Sequence, residues 1–311
     1  MRKFLTIKTG IITFAVLLIA FLGVSGYFFK VAHFRGDLPV AQVSDLALDN
    51  PVYSYRKSFF EIKKDIWELT SDDGLNLKAW YLPAEKPTNK TVIVVHGHNR
   101  SKERMAEYGW LFHQWGYNVL LPDNRAHGES EGKLIGYGWT DRLEQMKWID
   151  RLITEHGDQA EISLYGLSMG GATVMMLSGE ELPSNVIAFM QDCGYDTVWN
   201  QIGYRAKVEY GLPPFPILNQ VSIFSKIFAG YGYQEASSVK QLEKNERPFL
   251  FIHGDADTYV PVEVVYRNYA ASNGEKELVI FPGAEHGECI EENLELYEST
   301  LKGFLDKHMP L

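Results

Sequence analysis

The chain has 311 residues, 45% of them hydrophobic and 23% charged. That is too apolar for a disordered protein and too polar for a polytopic membrane protein. Acidic residues outnumber basic ones 40 to 30, a formal charge of −10, so a phosphate backbone would be repelled and no nucleic-acid partner is expected. Two cysteines, Cys193 and Cys289, stand far apart without a CxxC, which excludes a disulfide framework and a zinc ribbon.

The N-terminus opens with Arg2, Lys3 and Lys8, followed by an uncharged run from Ile11 to Phe29. A bilayer core takes roughly 20 apolar residues as helix, so this run is long enough to span it. A cleaved signal peptide is the rival, with Val24-Ser25-Gly26 as its cleavage site. The apolar run continues through Tyr27, Phe28 and Phe29, however, and no A-x-A follows it. We therefore expect a membrane anchor over residues 1–30. The basic cluster ahead of it directs the N-terminus to the cytoplasm and the body outside, although Lys30 and Arg35 weaken that bias.

Residues 31–58 lack sustained periodicity and read as a linker with a short helix. The body, residues 59–311, then alternates strand and helix signals. Phe60–Leu69 and Leu75–Leu82 flank the turn Ser71-Asp72-Asp73-Gly74 and predict a hairpin. Thr91–Val95 is a short β-branched run of the kind buried on both faces of a parallel sheet. Similar runs recur at 117–121, 162–165, 186–190, 249–252 and 278–281. Helical stretches over about 101–115, 139–156, 169–180, 262–272 and 290–307 lie between them. The fold class is therefore α/β, with a mostly parallel central sheet and helices on both faces. One long stretch, about 195–246, interrupts the rhythm and is rich in aromatics, Tyr195, Trp199, Tyr204 and Tyr210 among them. It is expected to form a helical cap over the carboxyl ends of the strands.

Ligands of open α/β sheets bind beyond those ends. There the sequence reads Gly166-Leu-Ser168-Met-Gly170, a G-x-S-x-G between strand and helix. A turn this tight projects a serine hydroxyl over the sheet and aims the helix N–H groups at developing negative charge. Ser168 is thus the candidate nucleophile. It requires a base, oriented in turn by a third group. His286, in the loop after the last strand, emerges at the same edge. The acid should follow the preceding strand, where both Asp255 and Asp257 stand. The order serine, acid, histidine is that of α/β-hydrolases.

Five motifs in order, V-V-H-G-H, D-N-R-A-H-G-E-S, G-L-S-M-G-G, H-G-D-A-D-T-Y-V-P and A-E-H-G, make the chain from about Ile66 to its end resemble an α/β-hydrolase of the membrane-anchored, Bem46-like or S33 serine-aminopeptidase-like esterase group. The resemblance implies an α/β-hydrolase fold and a Ser168–Asp257–His286 triad. It also implies an oxyanion hole made by the backbone N–H groups of His98 and Met169. It gives Asp255 a role within the loop, and Asp123 to Ser130 a structural turn. The implied activity is carboxylester hydrolysis through an acyl-enzyme, without metal or organic cofactor. The aromatic cap points to a small or medium apolar acyl ester as substrate, such as a short acyl, aryl or lipid-derived ester. A peptidase on the same fold is the alternative, with Glu180-Glu181 or Glu235 as candidate amine ligands. A non-catalytic surface interaction module is a third reading. His96, His98, Asp123 and His127 suggest a metal site, but the loop His-Gly-His-Asn-Arg-Ser lacks the Asp-His of metallo-β-lactamase-type sites. Cys193 and Cys289 read as buried small residues.

Overall fold

A computed structural model describes residues 2–36 and 40–311, with residues 2–6 given as backbone only. The Arg2 and Lys3 side chains of the basic cluster, and residues 37–39 of the expected linker, lie outside that description. In chain order the elements are α1 (Arg2–His33), α2 (Tyr53–Glu61), β1 (Asp65–Thr70), β2 (Asn76–Leu82), β3 (Lys90–Val95), α3 (Ala106–Gln114), β4 (Asn118–Pro122), α4 (Asp141–His156), β5 (Glu161–Leu167), α5 (Met169–Leu177) and β6 (Val186–Asp192). The cap follows with α6 (Val198–Tyr210), α7 (Asn219–Phe228) and α8 (Ser238–Leu242). Then come β7 (Phe249–Gly254), α9 (Glu263–Ala271), β8 (Lys276–Phe281), α10 (Cys289–Glu292) and α11 (Leu294–His308).

The eight strands form one sheet in the order β1-β2-β4-β3-β5-β6-β7-β8. The first two pairings are antiparallel and the remainder parallel. The central strands β3, β4, β5 and β7 bury nearly every residue, as expected where helices cover both faces. Phe59, Tyr108, Phe112 and Phe304 fill one face, and Trp148, Leu164, Phe189 and Phe249 the other. Because the parallel strands all run the same way, the loops after β3, β5, β7 and β8 emerge at one edge.

Two expectations need correction. The first strand does not begin at Phe60, because Tyr53–Glu61 is helix. Its Arg56 makes a buried double hydrogen bond with Glu107 of α3, and Phe59 is wholly buried against Gly109. Packing against α3 thus overrides a local pattern that also suited a strand. The expected boundary at residue 30 falls inside α1, which runs to His33. From Ile7 to His33 this helix is long and apolar enough to cross a membrane, and only 6% of its most apolar stretch is buried. Its end is different. Ser25 and His33 are fully buried and Phe29 nearly so. His33 Nε2 lies 2.9 Å from the Tyr233 hydroxyl, and its ring stacks on that of Tyr233. Tyr137 donates a hydrogen bond of 2.6 Å to the carbonyl of Ala32. The helix is therefore docked on the body rather than tethered to it.

Candidate active site

Ser168 sits between β5 and α5 with φ 57° and ψ −114°, a conformation that L-residues rarely adopt and that surrounding structure must enforce. The enforcement is visible at its flanking glycines. A Cβ on Gly166 would lie 2.1 Å from the carbonyl oxygen of Gly170, and one on Gly170 would lie 2.1 Å from that of Val95. Side chains at these positions would force the turn open. The Ser168 N–H is also anchored, donating to the carbonyl of Asp192 at 2.8 Å.

The three predicted side chains, supplied by three loops, meet. Ser168 Oγ is 2.8 Å from His286 Nε2, and His286 Nδ1 is 2.6 Å from Asp257 Oδ2. Both distances are those of short hydrogen bonds. The other oxygen of Asp257, Oδ1, accepts from the N–H groups of Tyr259 and Val260, each at 2.8 Å. Burial alone would raise the Asp257 carboxyl. Hydrogen bonds from His253 and His286, the His286 charge and the Val260 N–H outweigh it and hold the group well below the usual carboxylate range. His253 lies fully buried, with Nε2 3.3 Å from Asp257 Oδ2 and 2.8 Å from the carbonyl oxygen of Val260. Its contact with Asp257 went unnoticed in the sequence, where it stands only as the first letter of H-G-D. Asp255 is not in this chain of groups, and its carboxylate accepts from the N–H of Gly283 in the loop after β8.

The loop after β3 passes directly over the serine. A Cβ on Gly97 would lie 3.3 Å from the Ser168 Cβ and 3.2 Å from the carbonyl of Leu167. His98 follows it. Met169 heads α5, so its N–H is among those that a helix leaves without an internal acceptor. The His98 ring stacks on Tyr137 with centroids 5.3 Å apart. Burial, aided by nearby His127, pushes its pKa down to about 3.

Two of the four residues that suggest a metal site, Asp123 and His96, have other partners. Asp123 takes the Lys102 ammonium at 2.6 Å and the N–H groups of Lys102 and Glu129. Ser130 Oγ donates to its carbonyl. His96 Nε2 accepts the Asn124 N–H at 3.0 Å, tying the loops after β3 and β4 together. Cys193 and Cys289 are free and buried, and burial pushes both thiols well above their ordinary pKa. Glu180 is held by Arg142 and Glu235 by Lys226, and neither lines a cavity next to Ser168.

Ser168 stands between two cavities. One, of about 290 Å³, is walled by the cap residues Ile202, Leu212 and Leu218, by Tyr195 and Tyr259, and by Phe28, Val31 and Ala32 of α1. The other, of about 240 Å³, is lined by Asn99, Arg100, His286 and Gly287 among others. No sequence signal marked α1 as a cavity wall, since hydrophobicity suited to lipid and hydrophobicity suited to a cavity look alike.

The family described as serine aminopeptidase, S33, matches residues 86–190. The chain is 32% identical over 250 residues to YqkD of Bacillus subtilis (strain 168), covering 80% of this chain and 82% of that one. It is 24% identical over 258 residues to the alpha/beta hydrolase domain-containing protein WAV2 of Arabidopsis thaliana, covering 80% of each. Among solved structures it resembles the Pyrococcus furiosus esterase Pf2001 at a TM-score of 0.65 and 24% identity, over 81% of this chain and 94% of that one.

Proposed function

The chain belongs to the α/β-hydrolase superfamily, and from that premise we propose that it is a serine hydrolase cleaving carboxylic esters through an acyl-enzyme. The observation that carries this reading is the unbroken hydrogen-bonded series from Ser168 Oγ through His286 to Asp257, at 2.8 and 2.6 Å.

In the proposed cycle His286 Nε2 takes the Ser168 proton as Oγ attacks the carbonyl carbon. The charge that forms on the carbonyl oxygen is met by the N–H groups of His98 and Met169. Asp257 is ionised and its other oxygen is fixed by two backbone donors, so it holds Nδ1–H of His286 in one tautomer and stabilises the imidazolium. His286 then gives its proton to the leaving alcohol. Water, activated by the same imidazole, releases the acid. No step calls for a cofactor. The acyl group is assigned to the cavity beneath the cap and the leaving group to the one beside Arg100. Residues 59–311 form the catalytic body, with the cap at about 195–246. The helix α1 anchors the body at the membrane on the extracytoplasmic side.

A peptidase reading draws on the description of the matching family. The cavity wall favours esters, because among the described residues its one carboxylate is Glu209, already paired with Arg205. The test compares a chain-length series of p-nitrophenyl esters with an aminoacyl p-nitroanilide. Wild type should be labelled by a fluorophosphonate and prefer the esters. Ser168→Ala should lose the label and about 10⁶-fold in kcat. Equal labelling of both proteins rejects the nucleophile, and preference for the anilide selects the peptidase.

A further inference from the structure

The wall that α1 lends to the cavity bears on where the substrate comes from. At about 1.5 Å per residue a helix covers a hydrocarbon layer of about 30 Å in roughly 20 residues, a length reached between Ile7 and about Gly26. Over that span Ile7, Ile12, Phe14, Leu17 and Ile19 are all exposed. A helix so apolar on its outer surface is not a core helix. Tyr27, Phe28 and Phe29 come next, at the depth where aromatic side chains favour the membrane interface. From Ser25 onward α1 also packs on α7: Gly26 approaches Phe224, and the Phe29 ring lies 5.7 Å from that of Phe228. The same α7 exposes Ile223, Ile227 and Phe228, the last two by more than 60%. This apolar strip is continuous with the spanning helix and lies at its interfacial end. The cavity that reaches Ser168 is walled, on that side, by Phe28, Val31 and Ala32.

We propose that the strip formed by Tyr27, Ile223, Ile227 and Phe228 seats the cap in the bilayer interface, and that the substrate is a long-chain acyl ester resident in the membrane. Its acyl chain passes along α1 into the cavity without crossing water. The proposal rests on the serine-hydrolase and anchor readings above and adds the occupant of the apolar face, which is lipid. A chain drawn from the bilayer exchanges one apolar environment for another, so little of its hydrophobic burial has to be lost in transit. The leaving group stays at the polar side, by Asn99 and Arg100.

The test uses the full chain reconstituted in phosphatidylethanolamine–phosphatidylglycerol vesicles. The substrates are 4-methylumbelliferyl oleate, carried in the vesicles, and 4-methylumbelliferyl butyrate, added from water. They share a leaving group and differ in chain length and partitioning. Placing two carboxylates on the strip, in Ile223→Glu/Ile227→Glu, should lower oleate turnover by about tenfold or more, since interfacial seating scales with apolar area. Butyrate turnover and fluorophosphonate labelling should stay at the wild-type level, because neither residue touches the cavity. A second variant, Val31→Trp, narrows the cavity wall and should raise KM for oleate more than for butyrate. An unchanged oleate-to-butyrate ratio in either variant overturns the proposal. Absence of fluorophosphonate labelling in the wild type would instead reject the serine-hydrolase reading on which it stands.

Discussion

Two carboxyls beneath Ser168 are driven in opposite directions by their surroundings. Asp257 receives hydrogen bonds from two imidazoles and two backbone N–H groups, and its ionised form is favoured despite burial. Asp192 is dominated by burial. The Tyr297 hydroxyl, at 2.8 Å, offsets this in part, and the net result is a pKa pushed up to about 6 from 3.8. The sign of its effect on stability follows from proton counting. Between about pH 4 and 6 the folded chain binds more protons at this site than the unfolded chain does. Stability from this group is thus complete below the unfolded value and is lost as pH rises through about 6. The loss amounts to at most about 3 kcal/mol. Asp192→Asn removes the titration while keeping an acceptor for Tyr297. Urea midpoints should show this variant gaining on wild type between pH 4 and pH 8, and parallel pH profiles would refute the assignment.

At the level of elements, the strand–turn–helix from β5 to α5 is decided by what its glycines allow. Gly170→Ala drives a Cβ to 2.1 Å from the Val95 carbonyl. That atom is backbone in a buried strand and has nowhere to move, so a loss of at least about 3 kcal/mol is expected. Gly303, in α11, has nothing within 4 Å of its added Cβ, and Gly303→Ala should gain about 0.5–1 kcal/mol from helix propensity alone. Equilibrium unfolding of the two variants checks both signs. The β-branched runs of the inner strands were legible because full burial demands an unbroken apolar stretch. The helix α2 was legible only in part: a short helix was expected before residue 58, but its last turn was not, because the pattern Phe59-Phe60-Glu61-Ile62 suits either state. What selects the helix is Arg56 reaching Glu107, a residue 51 positions away.

For the whole molecule, the N-terminal apolar helix and the cap are one packed unit. Phe29, His33, Tyr231 and Tyr233 share a cluster with Met169, the residue after the proposed nucleophile. Burying a side chain the size of Phe29 contributes about 1.5–3 kcal/mol. A chain beginning at Gly26 retains this contact, and one beginning at Arg35 leaves the ring of Tyr233 and the carbonyl of Ile135 without His33. The shorter chain should melt at least about 3 °C lower and bind apolar esters more weakly, having lost one cavity wall. Calorimetry and KM for a long p-nitrophenyl ester measure the two effects.

The sequence by itself determined the strand–helix alternation, the glycine-flanked serine turn and the spanning length of α1. Each is a local property, set by the period of burial, by backbone sterics within five residues, or by a run of apolar side chains. It also narrowed the base and acid to loops that chain order sends to one edge of the sheet. The family resemblance pointed to Asp257, but composition and spacing did not separate it from Asp255, and the contacts themselves, Asp257 with His286 and Asp255 with Gly283, belong to the tertiary structure. Two carboxylates two residues apart differ only in what the folded loops bring up to them. The same holds for His253 beneath Asp257 and for α1 as a cavity wall: both are contacts between segments far apart along the chain, and hydropathy records whether a residue avoids water, not which surface it avoids water against.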